Sequence, residues 1–180
     1  MSKTSELIIA GFGGQGILFA GKVLAYGGLM CEKEVSWLPS YGPEMRGGTA
    51  NCHVIISDTP IGAPIVTEPN LLIAMNKPSL DKFEDAVVSG GTIIIDSSLI
   101  DRKVKRDDVN VFYIPATQMA LDMDANKMAN MIILGKLIKE TDIMTYDELK
   151  TGLKKCVPPS KAELLDFNLK VIDAGYNYSE

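Results

Sequence analysis

One short stretch narrows the possible folds more than any other: an apolar run that breaks into glycines and then turns helical. Leu7 to Ala10 reads LIIA, and Gly11-Phe12-Gly13-Gly14-Gln15-Gly16 follows directly. From Gly14 to about Met30 the pattern is helical. A strand that ends in glycine and feeds a helix opens a Rossmann-like α/β unit. Glycine allows positive φ and lets a ligand or neighbouring backbone come close. The free N–H groups at the helix start, aided by the helix dipole, then make an anion site. A dinucleotide needs more, namely an acidic residue about 20 positions further on, at the end of the second strand. Glu32 and Glu34 precede that strand here, and its end reads Leu38-Pro39-Ser40. The fingerprint is incomplete. On the residues alone the turn is a dinucleotide site, a packing turn, or a docking point for a phosphate or a partner subunit.

The rest of the chain alternates strand-like and helical segments. Val35 to Leu38 reads as extended, and Pro39 to Gly48 is a loop rich in proline and glycine. Residues 50–57 alternate with a period of two, as a strand with one better-buried face does. Asp58-Thr59-Pro60 and Gly62 mark a turn, with a hairpin returning through Ile65-Val66. Leu71 to Met75, Thr92 to Asp96 and Val111 to Ile114 read as buried strands. Helical patterns cover Ser79 to Val88, Ala116 to Met123, Lys127 to Glu140, Tyr146 to Cys156 and Ala162 to Ala174. Strands separated by helices predict a three-layer α/β/α fold. Its sheet is mostly parallel with room for an antiparallel hairpin, and its C-terminus is helical. With 180 residues the chain is sized for one domain, residues 1–180.

Composition excludes some functions. A net charge of −5 offers no basic footprint for nucleic acid. No stretch approaches the roughly 20 apolar residues of a membrane span. The start, MSKTSELIIAG, shows no apolar leader, so a cytoplasmic protein is expected. Cys31, Cys52 and Cys156 are far apart and in no paired motif, which suits buried thiols better than a cluster or zinc site. Asp101 to Asp108, DRKVKRDD, mixes both signs and reads as a solvated loop. His53, the only histidine, alternates with apolar residues and reads as a packed strand residue rather than a base. Met119, Met123, Met128 and Met131 recur near helical spacing and read as core or interface filler. Asp96, ending a strand, reads as a cap.

The most informative stretch is Ser40-Tyr41-Gly42-Pro43-Glu44-Met45-Arg46-Gly47-Gly48. Glycines and a proline set its backbone, and a tyrosine, a carboxylate and an arginine sit among them at the expected C-terminal edge of the sheet. Parallel α/β sheets bind ligands at that edge. Arg46 offers a rigid fork for carboxylate or phosphate, and Tyr41 a flat surface with a polar tip. The plainer reading is a local Glu44–Arg46 pair with Tyr41 capping the core.

IIAGFGGQGILFAGKVLA followed by SYGPEMRGGTANCHVIIS resembles the gamma subunit of 2-oxoacid:ferredoxin oxidoreductases. PIGAPIV, LLIAMNKPSL, GGTIIIDSSLI and the segment from Asn130 to Gly135 extend the likeness over nearly the whole chain. The PEMRGG form is more similar to the 2-oxoglutarate and branched-chain enzymes than to the pyruvate enzyme. The resemblance implies oxidative decarboxylation of a 2-oxoacid with coenzyme A as co-substrate. It also implies that thiamine diphosphate, Mg²⁺ and iron–sulfur clusters reside on partner subunits: alpha, beta and a ferredoxin-like delta. No such cofactor is then bound by this chain, which would be inactive alone and could form a homodimer when isolated. The sequence is consistent with this, having no GDG segment and no cysteine cluster. On this reading Gly11, Gly13, Gly14, Gln15 and Gly16 face the other subunits together with Tyr41, Gly42, Glu44, Arg46, Gly47 and Gly48. Asn76, Ser97 and Ser98 lie at the same edge. The competing reading is a free-standing nucleotide- or phosphate-binding module. An independent NAD enzyme fits worst, for want of the ribose acid.

Overall fold

A computed structural model describes residues 3–40 and 49–179, with Thr49 in its backbone only. Six strands form one sheet in the order β2-β3-β1-β4-β5-β6. They are β1 (Thr4–Phe12), β2 (Glu34–Ser40), β3 (Thr49–Ser57), β4 (Leu71–Ala74), β5 (Thr92–Asp96) and β6 (Asn110–Ile114). The β1–β4, β4–β5 and β5–β6 pairs are parallel, and β3 runs antiparallel to both β1 and β2. The helices are α1 (Ile17–Met30), α2 (Lys77–Phe83), α3 (Ala116–Asp122), α4 (Ala129–Glu140), α5 (Tyr146–Cys156) and α6 (Ala162–Tyr176). This is the expected α/β architecture with a helical C-terminus. Its parallel strands are apolar because both of their faces are covered: Ile93, Ile94 and Ile95 are wholly buried. Each such side chain contributes about 1.5–3 kcal/mol.

The antiparallel hairpin exists, but not where the sequence placed it. The partner of β3 on its outer side is β2, with Trp37 opposite Val54. Ile65 and Val66 lie in coil. Pro60, Pro64 and Pro69 strip donors from that segment, which a strand cannot spare. It is held instead by single contacts. The Val66 N–H donates to His53 Nδ1 at 2.9 Å, and the Val66 side chain enters the core.

The two covering layers are unequal. One face packs Leu7, Ile9, Val54, Ile73 and Ile94 against α1 and α3–α6. The other packs Ile8, Ala10, Ile55, Leu72 and Ile95 against α2 and the loops after β3 and β5. The charged run there is a loop, as expected, but it is not simply solvated. Arg102 donates to Glu84 Oε2 at 2.6 Å and to Asp81 Oδ1 at 2.9 Å. Glu84 is 2 % exposed. Arg106 reaches the carbonyls of Glu84 and Val87 and pairs with Asp108. The two arginines strap the end of α2 and the short 3₁₀ turn behind it, where helix carbonyls lack partners.

Candidate functional site

All four parallel strands end at one rim. The glycine turn follows β1, Asn76 follows β4, Ser97 follows β5 and Pro115 follows β6. Met75 N–H donates to Ala10 O at 2.8 Å and Ser97 N–H to Ile114 O at 3.0 Å, which ties adjacent strand ends together. Thr49 pairs with Phe12 and Ser40 with Asn51, so the strand ends flanking residues 41–48 also reach this side. Tyr41, Gly42, Glu44, Arg46, Gly47 and Gly48 themselves lie outside the described residues.

The turn is held from within. Gly14 and Gly16 have φ of 90° and 73°, the left-handed region that favours glycine. Gln15 Oε1 accepts from Phe12 N–H at 2.5 Å, and Gln15 Nε2 donates to Met75 O at 3.1 Å. The Gln15 amide, expected to offer donors outward, braces β1 against β4 instead. Helix α1 then starts with no side-chain cap and no acidic residue in its first turn. Its first N–H groups have no partner within the helix.

Two other candidates are caps. Asn76 is 1 % exposed, and its Oδ1 accepts from Ser79 N–H at 2.8 Å at the start of α2. In the free chain that placement turns the Asn76 side chain inward, as a cap of α2. Its Nδ2 finds no partner among the described residues. Asp96 is buried and accepts from Thr117 Oγ1 at 2.6 Å and from Ser98 N–H at 3.1 Å, joining β5 to α3. Ser97 is exposed. Ser98 is exposed too, and its Oγ accepts from Gln118 N–H at 3.0 Å.

Between the turn and α3 lies a cavity of about 230 Å³, walled by Gly14, Gln15, Leu99, Ala120 and Leu121 with Lys127 beside them. Its lining is almost wholly apolar. Around it the rim exposes large apolar side chains: Phe12 at 41 %, Phe19 at 36 %, Leu99 at 43 % and Leu121 at 52 %. Sequence reasoning missed these four. The one signal for them was an aromatic residue inside a glycine turn.

His53 and Cys52 are held within the fold. His53 is half-buried, and burial holds its pKa below the usual imidazole value, so Nδ1 stays an acceptor for Val66. Burial pushes the Cys52 thiol up to about 12. Cys31 and Cys156, expected to be buried, are only partly covered, and burial raises their thiols as well.

The ketoisovalerate oxidoreductase subunit VorA of Methanothermobacter marburgensis is 35% identical over 171 residues, covering 95% of the chain and 36% of VorA. The chain thus spans about a third of that relative's length. The 2-oxoglutarate synthase subunit KorC of Methanocaldococcus jannaschii is 33% identical over 178 residues, covering 97% of the chain and 94% of KorC. The gamma subunit of a keto/oxoacid ferredoxin oxidoreductase from Geobacter sulfurreducens PCA superposes with a TM-score of 0.81 at 25% identity, covering 96% of both chains. The 2-oxoglutarate:ferredoxin oxidoreductase of Magnetococcus marinus, solved with 2-oxoglutarate, coenzyme A and succinyl-CoA bound, gives 0.84 at 26% identity. That match covers 96% of this chain and 30% of the other. The pyruvate ferredoxin/flavodoxin oxidoreductase model matches residues 6–178, and the chain belongs to that family.

Proposed function

We propose that residues 1–180 form one domain that serves as the gamma subunit of a multi-subunit 2-oxoacid:ferredoxin oxidoreductase. Its glycine rim is the face that meets the catalytic subunits. The observation that carries this reading is the rim itself: the start of α1, without a side-chain cap, set among exposed Phe12, Phe19, Leu99 and Leu121. Exposed apolar side chains gathered beside polar main chain mark an interaction face.

The complex converts a 2-oxoacid and coenzyme A to an acyl-CoA and CO₂ and passes electrons to ferredoxin. Thiamine diphosphate, Mg²⁺ and iron–sulfur clusters belong to the alpha, beta and ferredoxin-like delta partners. Thiamine diphosphate supplies the carbanion chemistry, and this chain shapes the approach to it. VorA and the Magnetococcus enzyme support that division of labour, since each carries a domain like this one within a much longer chain. The preferred acid is 2-oxoglutarate, in line with the PEMRGG motif and the full-length match to KorC. The cytoplasm is the proposed compartment, and among the described residues no helix is long and apolar enough to cross a membrane. In the free chain the exposed rim is also the surface through which two copies would pair.

Arg46 is the proposed anion clamp near coenzyme A. In the reconstituted complex, Arg46→Ala should raise the Michaelis constant for coenzyme A or weaken subunit co-purification, and no change in either refutes the clamp. The uncapped start of α1 also favours a second reading, a free-standing phosphate-binding module. Calorimetry with nucleotides on the free chain separates the two, because a subunit should show no tight binding alone.

A further inference from the structure

The glycines of the turn are not equivalent. A Cβ at Gly11 would collide with Gln15 Oε1 and Ile17 Cδ1. A Cβ at Gly16 would collide with the Asn130 side-chain amide. At Gly14 a Cβ would meet nothing within 4 Å. The space at the two ends of the turn is therefore taken up by side chains of the chain itself, and at Gly16 the positive φ adds to the preference for glycine. Among the described residues, nothing comes within 4 Å of a Cβ at Gly14, which leaves that position open to something from outside.

Asn130 is 5 % exposed on the first turn of α4, and its Nδ2 donates to Gly16 O at 3.1 Å. The same carbonyl accepts Ala20 N–H at 3.0 Å, the first bond of α1. Asn130 thus grips the point where turn becomes helix, while Gln15 grips the point where strand becomes turn. The two contacts sit at the two ends of the turn and join β1, the end of β4, α1 and α4.

We infer that Asn130, with Gln15, is a positioning residue that holds the glycine turn in one shape, so that Gly14 and the first N–H groups of α1 face the rim ready-made. This deepens the docking reading above and rests on it. A pre-shaped turn needs no ordering when its partner arrives. Loss of the clamp should therefore weaken what binds at the rim and leave the chemistry on the other subunits untouched.

The test uses the assembled complex with Asn130→Ala and with Asn130→Asp, which keeps the shape but removes the donor. Both should raise the Michaelis constant for coenzyme A or the subunit dissociation constant about tenfold, which is about 1.4 kcal/mol. The turnover number should stay within about twofold. A merely structural role would instead lower the yield of active complex and the turnover number at an unchanged Michaelis constant. Gln15→Ala, an independent variant, should repeat the effect should Asn130→Ala fail to fold. Hydrogen exchange on the free full chain separates the two ideas. If Ala20 N–H exchanges as slowly in Asn130→Asp as in the parent, the positioning inference is overturned. If its exchange accelerates at least about tenfold while coenzyme A and the partner subunits bind as before, the clamp is real and the docking reading falls.

Discussion

The two rims of the sheet make opposite use of their polar groups. At the far rim, Lys3 N–H donates to Asp58 Oδ2 at 2.9 Å and Lys33 pairs with the same carboxylate. Thr145 N–H donates to Glu148 Oε2 at 2.6 Å, and Tyr146 OH to Asp173 Oδ1 at 2.5 Å. A cleft of about 470 Å³ opens there, twice the size of the cavity at the glycine rim. Leu29 and Met30 are exposed nearby, where α1 ends. Yet the charges that line the cleft already have partners within the chain. At the glycine rim, among the described residues, the start of α1 has no side-chain cap, and four large apolar side chains stand in solvent. Groups left unsatisfied mark an interaction surface better than open volume does.

The largest effect that would separate the rims is a charge placed among the exposed apolar residues. Leu121→Asp or Phe12→Asp should abolish co-purification with the catalytic subunits, a loss of about 2 kcal/mol or more on the scale of interface hot spots. Retained assembly would break the comparison. Gly14→Ala comes next. The added methyl meets no atom within 4 Å among the described residues, but φ of 90° strains it, so the free chain should lose about 1–2 kcal/mol. Partner or coenzyme A affinity should fall about tenfold, read by calorimetry or kinetics.

Acid should sharpen the contrast with a smaller effect. The bond from Lys33 holds the Asp58 carboxyl below its usual value. Burial raises Glu148, but the bonds from Thr145 outweigh it and leave a net lowering. Carboxyls depressed in the folded state stabilise it above their unfolded values, 3.8 and 4.5 here, and that contribution disappears as pH falls through the folded values. Between pH 7 and pH 5 the rims should behave alike. Below about pH 4 the Thr145 amide should lose exchange protection before the Ala20 amide does. The smallest effect is none: Lys33→Ala should leave assembly and the Michaelis constant for coenzyme A unchanged, since exposed pairs contribute little.

The sheet was largely legible because its strands carry their burial in their composition. LIIA, LLIA and TIIID have apolar residues on both faces, and only a doubly covered parallel sheet buries them all. The hairpin was harder to place. Alternation found β3 but suggested one better-buried face, whereas both faces are covered, and it could not say which neighbour β3 pairs with. Strand β2 reads as extended over Val35 to Leu38, and Pro39 hides its last two residues. The arginines of DRKVKRDD were visible as charge, but their acceptors at Glu84 and Val87 come together only in the fold. The site divided along the same line. Gly14 and Gly16 were legible because positive φ has a residue preference. Gln15, Asn76 and Asn130 were not, because nothing in their spacing says whether an amide faces outward or inward. Asn130 lies 114 residues from the carbonyl it holds, a distance over which no local pattern carries information.

Hydrogen–deuterium exchange of this chain, free and within the complex, tests the docking face most directly. The account predicts new protection at residues 12–19, at Leu99 and around Leu121, with residues 31–33, Asp58 and 142–148 unchanged. Protection confined to the Lys33–Asp58–Glu148 side, with Phe12 to Phe19 exchanging as freely as before, would contradict it.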